Sequence, residues 1–493
     1  MWTLVILIAV LVCLLTLHFL NQLWAHRNYP PGPLRLPIIG GAWRILINFS
    51  QDSFIKLAKQ YGNVYTIWAG NLPVVVLSGF KAVKEGLINH SECFDERPVT
   101  PFFKTLANEM GIILANGHTW KQQRKFGMVT MRKLGLGKKG MEHQIEEEAL
   151  QLVETFERSK ARQPIDTSLP IRNSVSNVIC AVAFGHRFSM DDDEFLKLKE
   201  AVEFMLQYSA TLMNALYETF PWLVKIIPGP YKKATLFTEV VLEFARKEIA
   251  FHKKNQALHD PQDFTDYYLF QIEQSKGDPN STFNEDNLTQ CIFDFFIAGT
   301  DTTTTTLEWA VSLMAIYPDI QGKVQKELED VFGSSQSFGY QDRKKVPYTN
   351  AVIHEIQRIQ YVFLFGVPRQ NEKDVHILGY HIPKRTFIVA DLRSVLVDPK
   401  QWETPDKFNP NHFLDKDGNF VAKEAFLPFG AGTRVCLGEQ LARIELFVFF
   451  TRLLRAFTFQ IPEGVKDLSL EPVVGFTVHP IRQKLCAVPR PTV

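Results

Sequence analysis

The stretch Phe429-Gly430-Ala431-Gly432-Thr433-Arg434-Val435-Cys436-Leu437-Gly438 decides the fold. After it, Leu441, Ile444, Val448, Thr451 and Leu454 step by three or four, which predicts a helix over Gly438–Phe457. Cys436 then stands at the mouth of a helix, where unpaired backbone N–H groups and the helix dipole favour a thiolate. Three glycines let the backbone approach a large flat group or adopt φ > 0. Arg434 places a fixed positive charge two residues away. A glycine-rich loop that surrounds a thiolate with N–H donors meets the needs of an iron ligand. A plain buried cysteine in a helix-start loop is the alternative, and it accounts for a lone Cys beside Gly better than for the complete Phe-x-x-Gly-x-Arg-x-Cys-x-Gly.

The rest of the composition agrees with one packed body. The chain has 493 residues, 46% of them hydrophobic and 22% charged, which excludes a disordered or collagen-like protein. The formal net charge of +1 gives no electrostatic case for nucleic-acid binding. Cys13, Cys93, Cys180, Cys291, Cys436 and Cys486 form no CxxC pair, so neither a zinc framework nor a disulfide scaffold is expected.

Residues 1–24 carry no Asp, Glu, Lys or Arg, and as a helix they would span a hydrocarbon core of ~30 Å. No basic residue precedes this run and no Ala-x-Ala follows it, which favours an uncleaved anchor over a signal peptide. Arg27, Arg35 and Arg44 follow, so the positive-inside rule puts the body in the cytosol. Tyr29-Pro30-Pro31-Gly32-Pro33 reads as a stiff extended spacer. The expected organisation is an anchor over 1–24, a basic, proline-rich linker over 25–45 and one catalytic domain over 46–493.

The body reads as mainly helical with small β-sheets. A β-type stretch covers Asn63–Leu77 around a turn near Gly70-Asn71. Helical patterns cover Glu142–Ser159, Pro170–Phe184, Asp193–Tyr217, Thr235–Gln256, Asn284–Tyr317 and Ile320–Val331. Short β-type pieces return at Val375–Ile382 and Thr386–Ala390. Tyr217–Lys233 reads as an apolar loop, with Phe220, Trp222, Ile226 and Ile227, that is either buried or in contact with a membrane.

Three further constellations carry chemistry. Ala298-Gly299-Thr300-Asp301-Thr302-Thr303 interrupts a long helix with poor helix formers. The Thr302 hydroxyl can bond the Ala298 carbonyl and loosen the ladder, opening a kink or groove. Ala298 and Gly299 leave room for a flat ligand, and an acid beside an alcohol can relay protons. Glu355 and Arg358 lie one turn apart on a helix, a common surface pair. Trp120 and Arg124 can point an indole N–H and a guanidinium at one anion.

Together these motifs resemble the cytochrome P450 family, and the resemblance covers essentially the whole chain. The anchor, the Pro-Pro-Gly-Pro link and Glu439-Gln440-Leu441-Ala442-Arg443 are most similar to vertebrate microsomal family-2 members. Asn409-Pro410-Asn411-His412-Phe413 and Val367-Pro368-Arg369 are similar to members that oxidise polyunsaturated fatty acids. The resemblance implies haem b with Cys436 as the axial thiolate. It implies that Arg97, Trp120, Arg124, Arg369 and Arg434 bind the haem propionates, and that Asp301 and Thr302 deliver protons. It also implies a buried Glu355–Arg358 pair behind the haem, with His412 at the position where many members add an arginine.

The activity so implied is insertion of one atom of O₂ into an apolar substrate such as a polyunsaturated fatty acid like arachidonate, a steroid or a xenobiotic. Phe102, Phe204, Leu212, Phe295, Phe296 and Phe476 are candidate pocket residues. There is no flavin or nicotinamide signature, so electrons must come from another protein. The resemblance names NADPH-cytochrome P450 reductase, with cytochrome b5 as a helper, at the endoplasmic reticulum membrane. Lys121, Lys125, Arg132, Lys133, Lys138 and Lys139 are a candidate docking cluster. Two alternatives keep the haem: an isomerase or dehydratase acting on lipid peroxides without a reductase, and a non-catalytic haem-binding protein.

Overall fold

The computed structural model of the chain describes residues 27–36, 40, 41, 44, 50–135, 139–158, 163–255, 260–333 and 338–491, with scattered positions before residue 18. The anchor expected over 1–24 and the linker over 25–45 therefore lie partly outside the described residues. Among the described residues no helix is long and apolar enough to cross a membrane.

The chain divides into two compact units, the first made of Met1–Pro98, Phe365–Gln401 and Gly430–Val435. Its centre is a four-stranded sheet of β1 (Val64–Ala69), β2 (Leu72–Ser78), β3 (Arg369–Gln370) and β4 (Phe387–Asp391), in the order β1-β2-β4-β3. β1 and β2 form the expected hairpin, and Gly70 at φ 61° supplies its turn. β2 pairs in parallel with β4, setting Val75 opposite Ile388 and Leu77 opposite Ala390. The β-branched run Val74–Val76 suits a strand buried on both faces. The β-type piece at Val375–Ile382 is itself a hairpin, turning at Leu378 and Gly379 with φ of 48° and 88°. The proline stretch is docked and not a free spacer: the Thr66 N–H donates to the Pro31 carbonyl at 2.8 Å, and a Cβ on Gly32 would lie 1.8 Å from the Thr66 oxygen.

The second unit comprises Val99–Leu364, Trp402–Phe429 and Cys436–Val493. Six of its helices matter below: α1 (Gly117–Lys133), α2 (Lys139–Arg158), α3 (Ser168–Phe184), α4 (Glu285–Ile316), α5 (Pro347–Ile359) and α6 (Glu439–Ala456). Asn284 caps α4 by accepting the Asn287 N–H, and Pro318 follows its end. α4 packs along α3, and α2 packs on both α3 and α6. Val175, Ile179, Ile292, Phe296, Val448 and Leu454 belong to the common core. Gly299 explains how α3 and α4 come so close: a Cβ there would lie 2.4 Å from Ile179 Cδ1. The hairpin of β5 (Pro472–Val474) and β6 (Val478–Pro480) and a three-stranded sheet of Ile165–Asp166, Lys484–Pro489 and Phe457–Gln460 complete the unit.

The mainly helical fold with small sheets is as expected, with local differences. The pattern over Asp193–Tyr217 is two helices, Asp193–Ser209 and Leu212–Thr219. Thr211 starts the second by accepting the Asn214 N–H. The apolar loop Tyr217–Lys233 contains a short helix, Pro221–Ile226, which opens on a proline as helices often do. The threonine run does not break α4, which stays helical from Glu285 to Ile316. Each hydroxyl of Thr302 and Thr306 bonds the carbonyl four residues back without displacing the turn.

Candidate active site

In the second unit, Cys436 is exposed whereas Cys93, Cys180, Cys291 and Cys486 of the two units are buried. Its backbone N–H donates to the Phe429 carbonyl at 3.0 Å, closing the loop just before α6. Although Cys436 remains accessible, the protein packed around its sulfur pushes the thiol up to about 11, against the pull of the Gly438 and Glu439 N–H groups and the Arg124 charge. The backbone donors at the helix mouth favour the thiolate as expected, and desolvation opposes them. α1 closes over the loop: a Cβ on Gly127 would lie 3.2 Å from Leu437 Cδ1. On the same helix Trp120 is buried and Arg124 half-buried, one turn apart as the spacing predicts.

In the first unit, Arg97, Arg369 and Arg434 are all buried and knit three chain segments together. Arg97 Nη1 donates to the carbonyls of Val367 and Pro368, each at 2.8 Å. Arg369 Nη2 donates to the Ala431 carbonyl at 2.8 Å, and Arg434 Nε to the Asp95 carbonyl at 2.6 Å. Gly432 belongs to this weave. Its φ is +75°, and a Cβ there would lie 1.9 Å from the Leu87 oxygen, so only glycine fits. Gly438, at φ −84°, has no such need.

The centre of α4 carries the acid and the alcohol. Thr302 Oγ1 donates to the Ala298 carbonyl at 2.7 Å, as read from the sequence. Ala298 is exposed and Thr302 half-buried in a helix whose flanking turns are buried, so the helix lacks protein cover on this face. Gly299 plays a different part from the one expected, because its missing side chain admits Ile179 of α3. Asp301 is 1% exposed and points away from water. Its Oδ2 accepts from Thr477 Oγ1 at 2.6 Å and lies 3.2 Å from His479 Nε2, while Arg172 Nη2 is 3.8 Å from Oδ1. Burial pushes the Asp301 carboxyl up, but His479, Arg172 and Thr477 together hold it below the usual range. None of these three partners was visible in the sequence. Phe296 is also reassigned, since it packs on Phe184 and Phe244 in the core.

Residues 30–487 match the family model for cytochrome P450. The chain belongs to the cytochrome P450 family. It is 42% identical to cytochrome P450 2J2 of Homo sapiens over 468 residues, 94% of this chain and 92% of that protein. It is 39% identical to cytochrome P450 2B4 of Oryctolagus cuniculus over 471 residues, 96% of each chain. Cytochrome P450 2C21 of Canis lupus familiaris is 40% identical over 488 residues, 98% of this chain and 100% of that protein. This cytochrome P450 is a monooxygenase, and its cofactor is haem b with an axial cysteine thiolate.

The residues present fit that cofactor. Within the second unit, an exposed thiol whose sulfur faces backbone N–H groups suits an iron ligand, and the Trp120 and Arg124 donors one turn apart on α1 suit a propionate. Behind α6, Glu355 and Arg358 of α5 are fully buried and joined by two bonds of 2.7 Å. His412 Nδ1 lies 3.1 Å and 3.2 Å from the two Glu355 oxygens, so the histidine occupies the third position of the network.

Proposed function

We propose that Cys436 is the axial ligand of the haem iron, on the single observation that it is the exposed, loop-closed thiol at the mouth of α6. Arg97, Trp120, Arg124, Arg369 and Arg434 hold the propionates, through guanidinium and indole donors that are buried or half-buried. Bound haem supplies the iron at which O₂ is reduced and its oxygen transferred to an apolar substrate. Thr302 keeps its hydroxyl proton on Ala298, so its oxygen remains an acceptor that can fix a water on the open face of α4. Asp301 feeds protons to that water from the buried side. The substrates are apolar molecules, among them polyunsaturated fatty acids, steroids or xenobiotics. The aromatic cluster of Phe102, Phe204 and Tyr208 supports this, with ring centroids 5.5 Å and 6.3 Å apart.

The body works on the cytosolic face of the endoplasmic reticulum membrane, anchored by residues 1–24. The surface of Leu212–Ile227 supports a second membrane contact, because Leu212 is 60% exposed, Trp222 67% and Ile226 72%. NADPH-cytochrome P450 reductase, helped by cytochrome b5, supplies electrons. α1 supports that assignment: Lys121, Lys125, Met128 and Arg132 are exposed on it while Arg124 and Gly127 turn towards the Cys436 loop. Lys138 of the same expected cluster lies outside the described residues.

The test is Cys436→Ser in the full-length protein. The reduced carbon monoxide adduct of the wild type should show the red-shifted Soret band of a thiolate ligand, and the variant should lose it. A variant that keeps the band would overturn the assignment.

A further inference from the structure

Asp301 is 1% exposed, so it cannot draw protons directly from water. Its three polar partners differ in what they can give. The Arg172 guanidinium has no acceptor atom through which a lost proton could be replaced, and the Thr477 hydroxyl has no proton to spare without replacement. Only the His479 imidazole both touches the carboxylate and can be a donor in either its charged or its neutral form.

The placement of His479 is firm. It sits on β6, whose Val478 carbonyl accepts from Trp309 Nε1 of α4 at 2.9 Å and whose Val478 N–H donates to the Val362 carbonyl at 2.8 Å. The ring lies along one face of α4, where Asp301, Thr305 and Glu308 follow at i, i+4 and i+7. Nε2 is 3.2 Å from Asp301 Oδ2 and 3.0 Å from Thr477 Oγ1. Nδ1 is 2.9 Å from Thr305 Oγ1 and 3.8 Å from Glu308 Oε2. The other oxygen of Glu308, Oε1, is buried without a hydrogen-bond partner, an acceptor ready for the far side of the ring. The His479 side chain is 16% exposed, eight times the 2% of Asp301.

We propose that His479 is the proton donor to Asp301, so that the supply route enters the buried acid through the imidazole. In the step, the His479 Nε2–H bond breaks and an Asp301 Oδ2–H bond forms, with the N–H electron pair left on the ring. The neutral ring left behind keeps its Nδ1–H, which Glu308 and Thr305 accept or share, and its emptied Nε2 is reprotonated by water that reaches the partly exposed ring. The ion pair is loaded in the resting protein: burial lowers the imidazole, but the Asp301 charge and bond, with Glu308, hold it well above its ordinary value. Arg172 is shared with Glu203 at 2.5 Å, and Glu203 with the exposed Arg482 at 2.8 Å, so the guanidinium steadies Asp301 without leaving it an unbalanced positive charge.

The inference rests on the proton-delivery role assigned to Asp301, and two measurements separate the two ideas. In holoenzyme with reductase, His479→Gln should keep haem content and the carbon monoxide band. It should lower product formation about tenfold and raise the solvent deuterium isotope effect, less than the roughly hundredfold loss expected on removing Asp301 itself. His479→Arg, which keeps charge but cannot pass a proton, should be equally slow. Wild-type rates in His479→Gln, or full rescue by Arg, would overturn the proposal. Independently of turnover, ¹³C-histidine NMR of the wild type should show His479 protonated at pH 8, where a free imidazole of pKa about 6.5 is neutral. In Asp301→Asn that resonance should turn neutral. A neutral His479 in the wild type would overturn the proposal even if the monooxygenase reading stands.

Discussion

Two buried clusters in the second unit are built from the same parts, a carboxylate, an arginine and a histidine, and behave in opposite ways. Around Glu355 every strong contact is made. Arg358 grips both oxygens at 2.7 Å, the Asn409 N–H adds 2.8 Å, and the guanidinium also donates to the Pro405 and Lys407 carbonyls. Around Asp301 the arginine is loose at 3.8 Å and the histidine reaches on to a second acid. The first cluster is closed on itself, and the second reaches water through His479, whose side chain is 16% exposed. Saturation makes a lock, whereas an open chain of partners makes a conduit.

The strongest way to break this contrast is to empty the lock. Arg358→Ala leaves Glu355 buried and without its bidentate partner, which should destabilise the fold by about 3–5 kcal/mol. Denaturant unfolding of the purified variant should show it, together with loss of haem from the expressed protein. A variant of near wild-type stability would mean that the pair is not the lock.

The conduit should fail in activity first. Asp301→Asn should reduce product formation about a hundredfold, the lower end for removal of a group that moves protons. Its stability should fall less than in Arg358→Ala, since Arg172 keeps Glu203 and His479 keeps Glu308. Thr302→Ala should leave haem content and stability intact, because its lost bond to Ala298 lies on the uncovered face of α4. In its place, hydrogen peroxide released per NADPH should rise. Unchanged coupling in Thr302→Ala would remove the threonine from the relay.

A third acid–histidine pair sharpens the comparison because it lacks a contacting arginine among the described residues. His252 Nε2 lies 3.1 Å from Asp263 Oδ2, and both are buried. Burial lowers the imidazole, but the Asp263 bond and charge prevail and hold it at about 9. The folded value lies above the unfolded value of about 6.5, so the pair's stabilisation is complete below pH 6.5 and is lost as pH rises through 9. Thermal unfolding from pH 6.5 to 9.5 should show a falling midpoint that flattens in His252→Gln. An equal slope in both proteins would deny the pair that role.

How much of this was legible in the sequence depended on the distance between the partners. Thr302 and Ala298 are four residues apart on one helix, and their bond followed from helical spacing. Glu355 and Arg358 are three apart, and their pairing was equally readable. Asp301 and Thr477 are 176 positions apart, and His479 follows two residues later. Nothing local marks His479, because its contact depends on how a C-terminal hairpin lands on α4. Glycines were readable as a class but not one by one, since Gly432 meets a backbone oxygen while Gly299 meets Ile179. The Cys436 loop was legible because its donors are its own neighbours. The strength of the thiol as an acid was not, because desolvation is set by the whole fold.

The finest test exchanges one residue type between the two clusters. His412 touches Glu355, with its Nε2 2.9 Å from Thr404 Oγ1 and its ring 5.6 Å from Trp402. In His412→Gln the carboxylate keeps both Arg358 bonds and the Asn409 N–H, so no buried charge is stranded. The loss is then that of an ordinary hydrogen bond, about 1 kcal/mol, with haem content and product per NADPH unchanged. His479→Gln should do the reverse, moving turnover and its isotope effect more than stability. Both variants make the same chemical change beside a buried carboxylate, so only the connection to solvent differs between them. If His412→Gln instead altered coupling, the Glu355 cluster would be part of the proton supply and the division into lock and conduit would be wrong.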